Sequence, residues 1–176
     1  MTGNNFYMKQ TLKYIYSVLN ENVKFAEGKH SVLIALNSAL IVFISGYLAS
    51  RVIFIKLITC LVIVTSMFSI FFNFVALLSR KVKYVKILKY KENELNLIYY
   101  KHIINFSYDE FLKVVKQKYN FPDDYKFDGL DYDLSKQIIA TSNVINLKFT
   151  FFNYSLVCLF IALVLTILNI TLVGLL

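Results

Sequence analysis

The side chains that most often carry chemistry are few and far apart in this sequence. Histidine occurs only as His30 and His102, and cysteine only as Cys60 and Cys158. No glycine-rich phosphate loop, no His-Glu-x-x-His and no paired cysteines are present, so the commonest nucleotide, zinc and redox motifs are missing. No serine or cysteine has a partner base at a recognisable spacing, which leaves nucleophilic catalysis without a candidate residue. Asp123, Asp124, Asp128, Asp131 and Asp133 surround Gly129. Five aspartates invite a calcium reading, but the order lacks the sixth-position glycine and closing glutamate of an EF-hand loop, so they read as a solvated connector with a helix cap. No catalytic residue, metal site or resident cofactor is expected, and the chain is not read as an enzyme. What remains is lysine beside aromatic rings, a pairing suited to a small anionic nucleotide: the ammonium for phosphate, the ring for the base face.

The elements that must position these residues are set by the apolar excess. Of the 176 residues 57% are hydrophobic and 17% charged, with a mean hydropathy of +0.57. A soluble domain has about 45–50% apolar and about 25% charged residues, so the surplus belongs in lipid. It is concentrated in three blocks. Residues 31–50 carry no charge, residues 53–78 carry only Lys56 near their start, and residues 149–176 carry none. Each is long enough to cross about 30 Å of hydrocarbon as an α-helix, the form that satisfies its own backbone in lipid. The expected fold is an all-α membrane protein of three transmembrane helices, the first two closing a hairpin at Arg51-Val52, with helical extensions on the cytoplasmic side forming a small bundle.

Basic residues give an orientation. Residues 1–30 hold four lysines and residues 79–148 hold thirteen lysines and arginines, so both segments should lie in the cytoplasm and the hairpin turn and C-terminus outside. The expected division is 1–30 as a cytoplasmic amphipathic helix, 31–78 as the transmembrane hairpin, 79–148 as a cytoplasmic helical region and 149–176 as the third span. Residues 80–94, with six basic side chains among Val82, Val85, Ile87 and Leu88, read as a continuation of span two that anchors on anionic lipid or lines an anion site. Ser107 should cap a short helix that starts at Tyr108-Asp109-Glu110 and ends near Tyr119. From Leu134 the helical pattern runs into span three without a stop. Residues 6–30, 80–95 and 134–148 would then meet as a stalk-like bundle.

Polar residues inside or beside the spans have simple expectations. His30 follows Lys29 at the start of span one and suits an interfacial anchor. Asn37, in mid-span, should turn toward the bundle interior or a second subunit, for helix association or for lining a pore. Cys60 and Cys158 lie in apolar blocks and read as small buried hydrophobes.

Three passages carry a family resemblance: Ala26-Glu27-Gly28-Lys29 followed by 33–40 with Asn37; Leu97-Ile98-Tyr99-Tyr100-Lys101-His102-Ile103 followed by Ser107-Tyr108-Asp109-Glu110-Phe111-Leu112; and Asp133-Leu134-Ser135-Lys136-Gln137-Ile138 with Ser142 and Lys148-Phe149. In this order they resemble the transmembrane effectors of Pycsar antiphage defence. The resemblance implies a bacterial inner-membrane effector that senses a cyclic pyrimidine mononucleotide, cUMP or cCMP, in the cytoplasm and disrupts or permeabilises the membrane to arrest the cell. It implies an activating ligand and no nucleic-acid polymer as partner. Lys24, Glu27, Lys29, Tyr99, Tyr100, Gln137 and Lys148, the polar or aromatic members of the matching passages, are the expected ligand-contacting residues. Three spans cannot enclose a wide channel, so a large opening needs a homo-oligomer in the bilayer. The same helices and lysines would also serve a scaffolding membrane protein or a holin-like pore that needs no signal.

Overall fold

The computed structural model describes residues 3–78 and 95–175, and every regular element among them is helical. Helix α1 is Gly3–Ser45, α2 is Ile53–Leu78, α3 is Tyr100–Ile103, α4 is Tyr108–Lys118 and α5 is Gly129–Leu175. The helices α1, α2 and α5 are long and apolar enough to cross a membrane, as the three apolar blocks predict. The basic run 80–94, expected to continue span two, lies outside the described residues. The chain divides into two units: Met1–Phe25 with Arg80–Leu147, and Ala26–Ser79 with Lys148–Leu176.

In the first unit the buried positions follow ordinary water-soluble logic. Met8, Leu12, Ile15 and Leu19 of α1 are fully buried at helical spacing, as are Phe111, Leu112 and Val115 of α4 and Ile138 and Ile145 of α5, while Ile139 is 2% exposed. The ends of α4 are closed at both sides by local hydrogen bonds. At the start, the Glu110 amide donates to Ser107 Oγ and the Ser107 amide to Glu110 Oε2, a complete capping box, so two of the helix's four orphan amides are satisfied. At the finish, the Asn120 amide donates to the Gln117 carbonyl and the Phe121 amide to the Lys116 carbonyl. Asn120 takes φ 53° there, the left-handed residue that a Schellman ending requires and that asparagine tolerates. Three aspartates flank or open the connector's exit. Asp128 and Asp131 exchange backbone-to-carboxylate hydrogen bonds of 3.1 and 3.0 Å at the head of α5, where carboxylates also suit the helix dipole. Asp133 pairs with Lys136 one turn on.

The second unit packs α1, α2 and the C-terminal part of α5. Its hairpin closes through a 3-10 turn at Gly46–Ala49, after which the Val52 amide donates to Ser50 Oγ and the Val52 carbonyl receives the Lys56 amide. Seven of the eight buried positions of α2, all but Ile58, fall at Ile55, Thr59, Val62, Ser66, Ser69, Asn73 and Ala76, alternating steps of four and three. That 3.5-residue period is a coiled-coil seam, and four of its seven members are polar. Cys60 is exposed on the surface of α2 and Cys158 half-buried. Cys60 is thus no core residue: where the surroundings are lipid, an apolar side chain has no reason to turn inward.

Candidate functional site

Three of the seven expected ligand residues belong to the second unit: Glu27, Lys29 and Lys148. Lys148 is 2% exposed, a depth at which an ammonium must be paired. Its Nζ donates to Glu27 Oε1 at 3.1 Å and to the Ala76 carbonyl at 3.0 Å, so one cation joins all three helices. Glu27 keeps 46% of its side chain in the open. Lys29, two residues after Glu27 and so on another face of α1, holds its Nζ 5.5 Å from the Phe149 ring centre and 5.2 Å from that of Phe152, a cation–π arrangement on α5.

The other four lie in the first unit. Tyr99 and Tyr100 are edge to face with ring centres 5.1 Å apart, and Tyr99 also meets the His102 ring at 5.2 Å. His102 Nδ1 accepts the Asn96 amide, an anchoring role in the turn that leads into α3. Burial pushes the Tyr100 phenol up from its ordinary value. Lys24 and Gln137 are exposed on α1 and α5. The aspartate connector meets α1 through Lys9 Nζ, 2.6 Å from Asp128 Oδ2. Tyr125 donates its hydroxyl to Asp131 Oδ2 at 2.8 Å, and burial, then this carboxylate, push its phenol upward.

His30 departs most from its sequence reading. It is fully buried, not an anchor at the interface. Its Nδ1 is 2.6 Å from Asn73 Oδ1 and its Nε2 3.1 Å from the Lys148 carbonyl oxygen. Both ring nitrogens therefore face acceptors. A neutral imidazole with one N–H satisfies one of them, and a doubly protonated ring satisfies both. The network continues along the bundle. Asn73 Nδ2 donates to the Ser69 carbonyl at 2.8 Å and to Ser155 Oγ, Ser69 Oγ lies 2.7 Å from Ser155 Oγ, and Asn37 Nδ2 donates to Ser69 Oγ at 2.9 Å and to the Leu33 carbonyl. Asn37 thus faces the interior, one of the two positions expected for it. Ser69, Asn73 and Ser155 are absent from the candidates that the sequence motifs supply. For Asn73 and Ser155 the signal is spacing: Thr59, Ser66 and Asn73 recur every seven residues in α2, as do Ser155, Ala162 and Asn169 in α5, small or polar positions on one face of otherwise apolar helices, and Ser69 stands between Ser66 and Asn73 on the same seam.

Chemically, the site offers a buried cation whose counterion is half in the open, followed by a line of neutral donors and acceptors. It holds no nucleophile with a base beside it, and no group of three or more metal-ligating side chains occurs among the described residues. No curated protein and no solved structure matches the chain. Residues 11–175 match the family described as Pycsar effector protein domain, and the chain therefore belongs to the Pycsar effector family, as a membrane protein with an effector role in antiphage defence.

Proposed function

We propose that this effector senses a cyclic pyrimidine mononucleotide, cUMP or cCMP, and answers by permeabilising the bacterial inner membrane, arresting the infected cell. The observation that supports it is the Lys148 ammonium, buried yet held by a carboxylate that is 46% exposed. A ligand phosphate offers the same charge as Glu27. It can take over the ammonium while Glu27 turns to water, so the buried cation is never left unpaired. Lys29 over Phe149 and Phe152 adds a second cation and two ring faces in the same unit. Lys24, Tyr99, Tyr100 and Gln137, in the first unit, remain expected ligand residues on the family resemblance. With the N-terminus in the cytoplasm and the C-terminus outside, Glu27 and Lys148 would meet a ligand made inside the cell. A ligand drives permeabilisation only as far as it prefers the permeable state, and a wide opening takes several copies of the chain.

The test is binding of cUMP, cCMP, cAMP and cyclic dinucleotides to the detergent-purified protein, with Lys29→Ala and Glu27→Gln beside it. Selective binding of one pyrimidine monophosphate, lost in Lys29→Ala with helix content unchanged, is the expected result. Silence across the panel from folded protein overturns it. Toxicity on expression without any nucleotide would then favour a signal-independent pore, and harmless expression a scaffold.

A further inference from the structure

The polar line in the second unit does not end at Asn37. Ile44, Ile58, Val62 and Ala162 form a buried apolar cluster, backed by Leu40, Tyr47, Ile63, Leu165 and Leu172. Next to it on the α2 and α5 seams come Thr59, Thr166 and Asn169, all buried, with Asn169 Nδ2 donating to Thr59 Oγ1 at 2.8 Å. One interior thus holds two polar stretches with this apolar cluster between them, and Leu33, Leu159 and Ile55 are buried in the same unit.

Helix adhesion explains only part of this. Polar side chains hold membrane helices together by pairing with one another, yet Asn37 Oδ1, Ser66 Oγ and Asn169 Oδ1 are buried without a hydrogen-bond partner among the described residues. An unpaired amide or hydroxyl oxygen in apolar surroundings destabilises the packed state. Water entering the same line would satisfy all three. Polar stretches interrupted by one apolar layer are also the plan of a pore that closes by dewetting.

We infer that the interior of the three-helix bundle is a shut water and proton path, and that Ile44, Ile58, Val62 and Ala162 are its gate. The inference rests on the reading of this protein as a membrane-permeabilising effector and gives that activity a narrow first form within one chain. The lining is neutral amide and hydroxyl apart from His30, Glu27 and Lys148 at one end, and a packed three-helix interior admits water in single file but no organic solute. His30 lies at that same end, with an acceptor oxygen facing each ring nitrogen.

The experiment places the full-length protein in vesicles holding a pH dye and carboxyfluorescein, without nucleotide. Val62→Ser and Ile44→Thr should raise proton entry about tenfold over wild type, the change that about 1.4 kcal/mol off the barrier gives, while carboxyfluorescein stays inside. Val62→Leu should stay tight. Adding Thr59→Val and Asn169→Leu to Val62→Ser should restore tightness, which a merely loosened fold would not do. Folded Val62→Ser and Ile44→Thr that are as tight as wild type overturn the gate, and so does escape of carboxyfluorescein together with protons. Nucleotide-triggered leakage of wild type beside a silent Val62→Ser removes the gate and keeps the sensing proposal. A leaky Val62→Ser that binds no nucleotide does the reverse.

Discussion

Helix α1 buries Met8, Leu12, Ile15 and Leu19 in the first unit, but Ala26, His30, Leu33 and Asn37 in the second. Helix α5 shows the contrast less sharply: its first-unit part buries Asp131, Ser135, Ser142 and Asn143 beside Leu134, Ile138, Ile139 and Ile145, and its second-unit part buries Lys148, Ser155, Thr166 and Asn169 beside Leu159 and Ala162. A single helix therefore changes its rule of assembly along its length. In water the apolar stripe turns inward because burying it removes it from solvent. In lipid that drive is absent, and what holds helices is close packing and paired polar groups. Large exposed side chains occur in both units, Phe6 and Phe25 in the first and Phe68, Phe71, Phe74, Phe160 and Ile167 in the second, where lipid covers them at no cost.

The contrast breaks if the two units respond alike to the same kind of substitution. Phe111 is fully buried in the first unit, and Phe111→Ala should cost about 3–5 kcal/mol, the usual range for emptying an aromatic core site. Amide exchange in detergent should show protection lost across α4 and the first part of α5, with the second unit's amides unchanged. Equal loss in both units would mean that they unfold as one.

Polar deletion should act on the other unit. Asn73→Leu removes the partners of His30 Nδ1 and Ser155 Oγ and leaves the ring nitrogen facing hydrocarbon. The expected cost is about 1–3 kcal/mol, read as an earlier midpoint in a denaturing-detergent titration. Double-mutant cycles in another membrane protein average only about 0.6 kcal/mol per pair, so a small effect would place the second unit's stability in packing instead.

How much of this is legible in the sequence also divides by unit. The boundaries of α2 coincide with the apolar run 53–78, whose one charge, Lys56, lies near its start, because lipid disfavours charge and the run is its direct record. Ser107 with Glu110 marks the head of α4 by a purely local rule. His30 could not be placed locally. Beside Lys29 it has the neighbours of an interfacial residue, and only the register against Asn73 and Lys148, 43 and 118 residues away, takes it inside. The seven-residue recurrence of His30, Asn37 and Ile44 carries that information, but in apolar blocks a period of small and polar residues is easily overlooked beside the hydropathy itself. The same blindness made Cys60 look buried. The Lys148–Glu27 pairing is legible only as a shared neighbourhood at the membrane edge, since sequence gives no distances between helices.

Smaller effects belong to the ends of α4. Asn120 sits at φ 53°, where a β-branched side chain is strained. Asn120→Val should cost about 1 kcal/mol, and Asn120→Gly close to nothing. Ser107→Ala removes the cap of the Glu110 amide, at about 1 kcal/mol. Thermal melts of the three variants, followed by exchange at α4 amides, separate these from any change in the second unit.

The smallest expected effect is the tie between Lys9 and Asp128, whose side chains are 20% and 42% exposed. Pairs this open contribute little to stability. The hydrogen bond from Lys9 holds the Asp128 carboxyl below its ordinary 3.8, and the same bond holds the Lys9 ammonium above its ordinary 10.5. The aspartate's contribution is thus present above pH 3.8 and fades as pH falls through its lowered value. The lysine's contribution is present below pH 10.5 and fades as pH rises through its raised value. Lys9→Met should remove both without touching the Asp128–Asp131 cap. Its stability deficit should be flat between these limits and shrink outside them, and salt should shrink it too. A deficit that stays constant down to pH 2 would mean that Lys9 acts through its methylene packing and not through charge. That outcome would sharpen the comparison further, leaving Lys29 and Lys148, both in the second unit, as lysines whose charge matters to how α1 and α5 meet.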